Sequence, residues 1–115
     1  MHEEITPGEV ISKMMDTIDR LNNVNEILIP ANVKFKNDTA IYDAAVARAK
    51  RRATGKTVMD REAEVFLATE QEYLEFKDSK VNVENIKIRV NQINSEIEIL
   101  RSVSSLLKAE INGTL

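Results

Sequence analysis

Helices and no sheet are what this sequence predicts, and three observations carry that expectation. The run from Thr57 to about Asn112 contains neither glycine nor proline, so nothing in it forces the backbone out of a helix. From Val83 onward, apolar residues recur in an alternating three–four rhythm: Val83, Ile86, Val90, Ile93, Ile97, Leu100, then Leu107 and Ile111, with Ser104 alone breaking the series. That spacing keeps one face of a helix against a partner helix. Finally, the 115 residues are 30% charged and 4% aromatic, which disfavours a large core built on rings. The expected layout is all-α, with three helices at about 7–29, 38–54 and 57–112. These make a single helical domain over 1–115: an N-terminal amphipathic helix within 1–33, then a helical hairpin over 38–112 with a long coiled-coil-like helix.

The elements follow in order. Thr6-Pro7-Gly8-Glu9 is a helix start: Thr6 can cap, Pro7 suits the first helical position, and Glu9 completes a capping box. Ile11, Met14, Ile18, Leu21 and Leu28 then follow a heptad, with Asn25 as a polar intruder placed to set register. Val10, Met15 and Val24 widen this stripe, and Pro30 is expected to end the helix. Residues 30–37 read as a loop whose Phe35 docks on the bundle. Asp38 or Asn37 would cap the second helix and Gly55 would stop it. In between, Ile41, Ala45, Ala49 and Ala53 form a smooth stripe that permits close helix–helix approach, with Arg48, Arg51 and Arg52 on the polar face. Gly55-Lys56 is a turn, and Thr57 with Asp60 starts the next helix. So short a turn makes an antiparallel hairpin, laying the Ala-rich helix against the region of Phe66, Tyr73 and Phe76. A second apolar stripe, Val81, Ile88, Ile99, Val103 and Leu106, makes the long helix apolar on two faces. It therefore points to a homo-oligomer held through Val83, Ile86, Val90, Ile93, Ile97, Leu100, Leu107 and Ile111.

Most chemistry is excluded. There is no cysteine, hence no disulfide, thiol nucleophile or thiolate metal site, and the one histidine is His2. With a lone histidine, neither a Ser–His–acid set nor a Glu-x-x-His di-metal bundle can be built. Thr54-Gly55-Lys56-Thr57 matches the end of a phosphate-binding P-loop. However, the required earlier glycine is replaced by Lys50, and a charged helix stands where a strand is needed. Glu62, Glu64, Glu70, Glu72 and Glu75 scatter around a helix as a solvated face. The expectation is a protein that is not an enzyme, with no cofactor, no metal and no small-molecule substrate. No segment has the roughly 18 uninterrupted apolar residues of a membrane span, and the N-terminus does not read as a signal peptide. A soluble protein of the cytoplasm is expected, or one assembled into a particle.

Charge supplies the functional hint. The net charge of −3 conceals a basic middle: residues 34–61 carry eight positive and three negative side chains. Residues 1–33 carry two positive against six negative, and residues 62–115 six against ten. The island Arg48, Lys50, Arg51, Arg52, Lys56 and Arg61 has the composition of a phosphate-neutralising patch. Lacking neighbouring base-reading Asn or Gln, it suits backbone binding. The alternative is a helix C-terminus that favours cations, with ion pairs to the acidic helix that follows.

Three stretches carry a resemblance: Ala-Lys-Arg-Arg-Ala-Thr-Gly-Lys-Thr at 49–57, Arg-Glu-Ala-Glu-Val at 61–65, and Glu-Ile-Leu-Arg-Ser-Val-Ser-Ser-Leu-Leu-Lys-Ala-Glu at 98–110. Over about Ala40 to Glu110 they resemble small helical phage proteins encoded near replication and recombination genes, and are similar in layout to the recombination mediator of T-even phages. The resemblance implies a helical oligomer that binds single-stranded DNA and helps load a recombinase. It also implies DNA contact by Arg48, Lys50, Arg51, Arg52 and Lys56, in the cytoplasm of a phage-infected host. The acidic net charge departs from that pattern. Two functions follow: a non-enzymatic accessory factor for phage DNA recombination or replication, whose partners are single-stranded DNA and a recombinase or replication protein; or a phage scaffold, head–tail or chaperone protein acting through protein contacts alone.

Overall fold

A computed structural model describes residues 5–113; His2 lies outside them. The described chain is 91% helical. It comprises α1 (Pro7–Arg52), α2 (Val58–Ala68) and α3 (Glu70–Ile111), an all-α protein as expected. The boundaries differ from the expected ones at two points.

The first is Pro30, which lies inside α1 instead of ending it. Residues 30–37 are helical, and Asp38 sits in mid-helix instead of capping a new one. Proline removes one backbone hydrogen bond and crowds the preceding turn. Here its ring is on the exposed side of α1, while Leu28, Ala31 and Phe35 on the other side are partly or fully buried. Burial of that face outweighs the local defect, as tertiary packing commonly outweighs propensity. The second is Thr69, which separates α2 from α3 without help from glycine or proline. Its hydroxyl donates to the carbonyl of Val65 at 2.7 Å. Its N–H is shared between the carbonyls of Val65 and Phe66. What sets Thr69 apart is its backbone, at φ −119° and ψ 12°, since Thr17 and Thr39 make the same back-bond at 2.7 Å inside the unbroken α1.

Of the three helix starts read from the sequence, those at Thr6 and Thr57 are formed. The Glu9 N–H donates to Thr6 Oγ1 at 3.2 Å, and the Asp60 N–H to Thr57 Oγ1 at 3.0 Å. The buried positions follow an unbroken heptad. On α1, Val10, Thr17, Val24, Ala31, Asp38 and Ala45 are buried, each seven residues from the last. Half-buried Met14, Leu21, Leu28, Phe35, Tyr42 and Ala49 alternate with them. Met14, Leu21 and Leu28 therefore lie where expected, while the other half of the stripe lies one position earlier, on Val10, Thr17 and Val24. Val10 and Val24 face inward, whereas Ile11 is 57% and Ile18 is 42% exposed, and Asn25 is exposed and sets no register. On α3 the seam is as expected: Val83, Ile86, Ile93 and Ile97 are buried, with Val90, Leu100 and Leu107 half-buried and Ile111 exposed. Ser104 keeps the rhythm as a half-buried member.

The chain forms two compact units. In one, residues up to Ile27 meet residues from Ile86 onward, and Arg20 pairs with Glu96 at 2.8 Å. Ile86, Ile93 and Ile97 are thus filled from within the chain by α1, and are not left open to a second subunit. In the other unit, Leu28–Asn85, the second half of α1 packs antiparallel to α2 and the start of α3. Ring contacts fix the direction: Phe35 lies 5.9 Å from Phe76, and Tyr42 lies 5.7 Å from Tyr73. Phe35 does dock, as expected, but from a helix. Among the described residues, no helix is long and apolar enough to cross a membrane.

Candidate functional site

The basic island lies in the Leu28–Asn85 unit, around the turn that joins α1 to α2. Lys50, Arg51 and Arg52 form the last turn of α1, where the partial negative charge of the helix end favours cations. Three contacts hold the turn. Glu64 Oε2 accepts from the Thr54 N–H at 2.9 Å, Arg61 Nη1 donates to the Gly55 carbonyl at 2.9 Å, and Thr57 caps α2. Gly55 is required by close approach. A Cβ there would stand 2.7 Å from the Asp60 Cβ and 3.0 Å from the Arg61 nitrogen. These residues fully account for Thr54-Gly55-Lys56-Thr57 as a turn, and a helix precedes it.

Arg61 is thus partly committed to the turn. Arg48, Lys50, Arg51, Arg52 and Lys56 form no ion pair among the described residues. The carboxylates of α2 and early α3 do not neutralise them; Glu64 is spent on the Thr54 amide. Arg48 and Arg52 line a groove of about 300 Å³ whose far wall is Glu64, Ala68 and Glu72. The island is therefore a set of free cations with two acidic groups on one flank.

On another side of α1, Lys50 and Arg61 line a larger cavity of about 410 Å³. Its apolar walls are Val46, Ala53, Val58 and Val65, and its aromatic lining is Tyr42, Phe66 and Tyr73. Of the expected small-residue stripe only Ala53 lines this cavity, whereas Ala45, Ala49 and Ala53 line the groove beside Arg48 and Arg52. Ala45 is buried and Ala49 and Ala53 are half-buried, as close packing requires, while Ile41, the fourth expected member, is 51% exposed. Yet α2 buries no residue, and Val58, Met59, Phe66 and Leu67 stay 59–79% exposed. Sequence reasoning missed this aromatic cavity. The one local signal was that Tyr42 stands in heptad phase with Phe35, which places it on the packed face but does not show a cavity.

The same unit carries a polar knot in its seam. The Lys34 ammonium donates to Asp38 Oδ2 at 2.6 Å. That hydrogen bond, opposed by burial and assisted by one from Ser79, holds the Asp38 carboxyl below its ordinary value. The same bond to Asp38 raises Lys34, against desolvation, with Glu75 and Asp78 nearby. Both ions favour the paired, charged form. Among the described residues, no group of three His, Asp or Glu is placed to hold a metal.

Fold and site together define a class: an antiparallel helical hairpin bearing free cations and an aromatic cavity beside its turn. Compared with protein families, curated proteins and solved structures, the chain matches none.

Proposed function

We propose that this protein is a non-enzymatic accessory factor for phage DNA recombination or replication. It holds single-stranded DNA by its phosphates at Arg48, Lys50, Arg51, Arg52 and Lys56, and works as a homo-oligomer with a recombinase or replication protein. The observation that carries this reading is the gathering of those five cations around one turn, with Lys50, Arg51 and Arg52 in the last turn of α1 and Lys56 just beyond it. Cations clustered in one place can neutralise successive phosphates of an anionic polymer. Repetition of the patch in an oligomer raises its avidity. Exposed Ile88, Ile99 and Leu106 on α3, with Ile11, Met15 and Ile18 on α1, supply apolar surface for that assembly.

The test is titration of labelled single-stranded DNA across a salt series. Five phosphate contacts would give a slope of log affinity against log salt of about −3.5. Joint Arg48, Arg51 and Arg52→Glu substitution should abolish binding. No binding at low salt, or binding indifferent to that substitution, ends the DNA reading.

A second reading is favoured by the exposed apolar residues of α2, Val58, Met59, Phe66 and Leu67. It makes the chain a phage assembly protein acting through protein contacts alone. Capture of a virion protein that depends on Met59 and Leu67, together with no affinity for DNA, would decide for it.

A further inference from the structure

We infer that the cavity lined by Tyr42, Phe66 and Tyr73 is a nucleobase subsite, which takes one unstacked base of a single strand while Lys50 and Arg61 meet its phosphates. This rests on the reading that the basic island binds single-stranded DNA, and adds to it a non-electrostatic contact.

Three features select that occupant. The walls are apolar and aromatic while the cations Lys50 and Arg61 share the same lining, so the fitting ligand joins a flat apolar face to negative charge. A nucleotide of a single strand has both, since every base carries a π-face whatever its identity. A duplex keeps those faces stacked inside. Next, the rings are available. Phe66 is 59% and Tyr73 is 36% exposed, and Phe66 makes no ring contact among the described residues. Tyr73 is held from behind by Tyr42 at 5.7 Å and Phe76 at 6.4 Å, and Tyr42 stacks on Phe76 at 5.3 Å. One wall is thus a braced aromatic cluster and the other a single ring free to close. Lastly, about 410 Å³ lies in the range of small-ligand sites, roughly 300–1,000 Å³, and exceeds what one protein side chain needs.

The stacking energy of a base on an aromatic ring is nearly independent of sequence. The subsite therefore distinguishes single strands from duplex without reading bases. Glu62 also lines the cavity, so the charge there is not purely positive, and phosphate contact falls mainly to Lys50 and Arg61.

The experiment compares an oligothymidylate with an abasic deoxyribose-phosphate chain of equal length, using the full-length protein at low salt. Phe66→Ala should weaken binding of the oligothymidylate by about 5- to 30-fold and leave the abasic chain unchanged. Phe66 is exposed, so thermal melting should scarcely move. Because the protein has no tryptophan, Phe66→Trp installs a single indole. Its fluorescence should be quenched by the oligothymidylate and unaffected by the abasic chain or by duplex. Equal affinity of the parent protein for both chains overturns the inference but spares the DNA reading. So does equal loss for both chains on Phe66→Ala. If the parent binds neither chain, both the subsite and the DNA reading fall.

Discussion

The two compact units follow one heptad and fill it differently. Where α1 up to Ile27 meets α3 from Ile86, the buried seam is Val10, Val24, Ile86, Ile93 and Ile97, with Thr17 its one polar member. In the Leu28–Asn85 unit, the same positions hold Ala31, Asp38, Ala45, Thr69, Ser79 and Val83, with the aromatic rings beside them. Cavities open beside both seams: about 260 and 510 Å³ beside the aliphatic one, lined by aliphatic and polar side chains without rings, and about 410 and 300 Å³ beside the other. What the alanines, hydroxyls and carboxylate add is polarity and room for rings, and the basic island lies in that unit. The lesson is that an unvarying heptad sets the helix pairing, while the size and chemistry of its occupants decide where rings and cations gather.

Substitutions can break that contrast, and the largest effect belongs to the aliphatic unit. Ile93→Ala should cost about 2–4 kcal/mol in denaturant unfolding, because a packed layer loses a branched side chain. A loss below about 1 kcal/mol would mean the layer is loosely filled. At the turn, Gly55→Ala should cost about 1–3 kcal/mol, since its Cβ would strike Asp60 and the Arg61 backbone. It should also weaken DNA binding by displacing the turn. Next comes acid. Asp38 is held below its ordinary value of 3.8, first by the hydrogen bond from Lys34. The folded state therefore prefers the ionised carboxyl. That stability is present above the unfolded value and fades as pH falls through the lower folded one. Asp38→Asn should flatten the fall in melting temperature below about pH 4, whereas an unchanged acid limb would show that Asp38 is not paired in solution. The smallest effect is Arg20→Ala. Its pair with Glu96 has both side chains about half-exposed, so the loss should stay under about 1 kcal/mol and shrink further in salt.

How much of this the sequence revealed depended on whether the signal was local. The α3 seam was legible because Val83, Ile86, Ile93 and Ile97 are apolar in phase, and the caps at Thr6 and Thr57 because both partners are three residues apart. Half of the α1 stripe was misplaced by one residue because Ile11 and Ile18 outweigh Val10 and Thr17 in hydrophobicity, whereas Met14, Leu21 and Leu28 were legible. What settles the phase is distant: Phe35 and Tyr42 must face Phe76 and Tyr73, and a continuous helix then turns Val10, Thr17 and Val24 inward. That continuity was hidden by Pro30, whose local rule is overridden by burial of the opposite face. The basic island could be read as a cluster, since its members are neighbours in sequence. The aromatic cavity could not, because its walls come from α1, α2 and α3 and exist only once Thr69 interrupts the helix.

Asp38 and Ser79 carry one more consequence, for how the chain finds its pairing. Two long helices with the same repeat can slide past each other by seven residues and still match apolar to apolar. Such a slip would set Asp38 against Ile86 or Glu72 in place of Ser79. Lys34 travels with Asp38 on the same helix, so the first costs the bond from Ser79 and sets an ion pair against hydrocarbon, while the second adds a like charge. Asp38 is thus an alignment notch that favours one of several near-equal pairings.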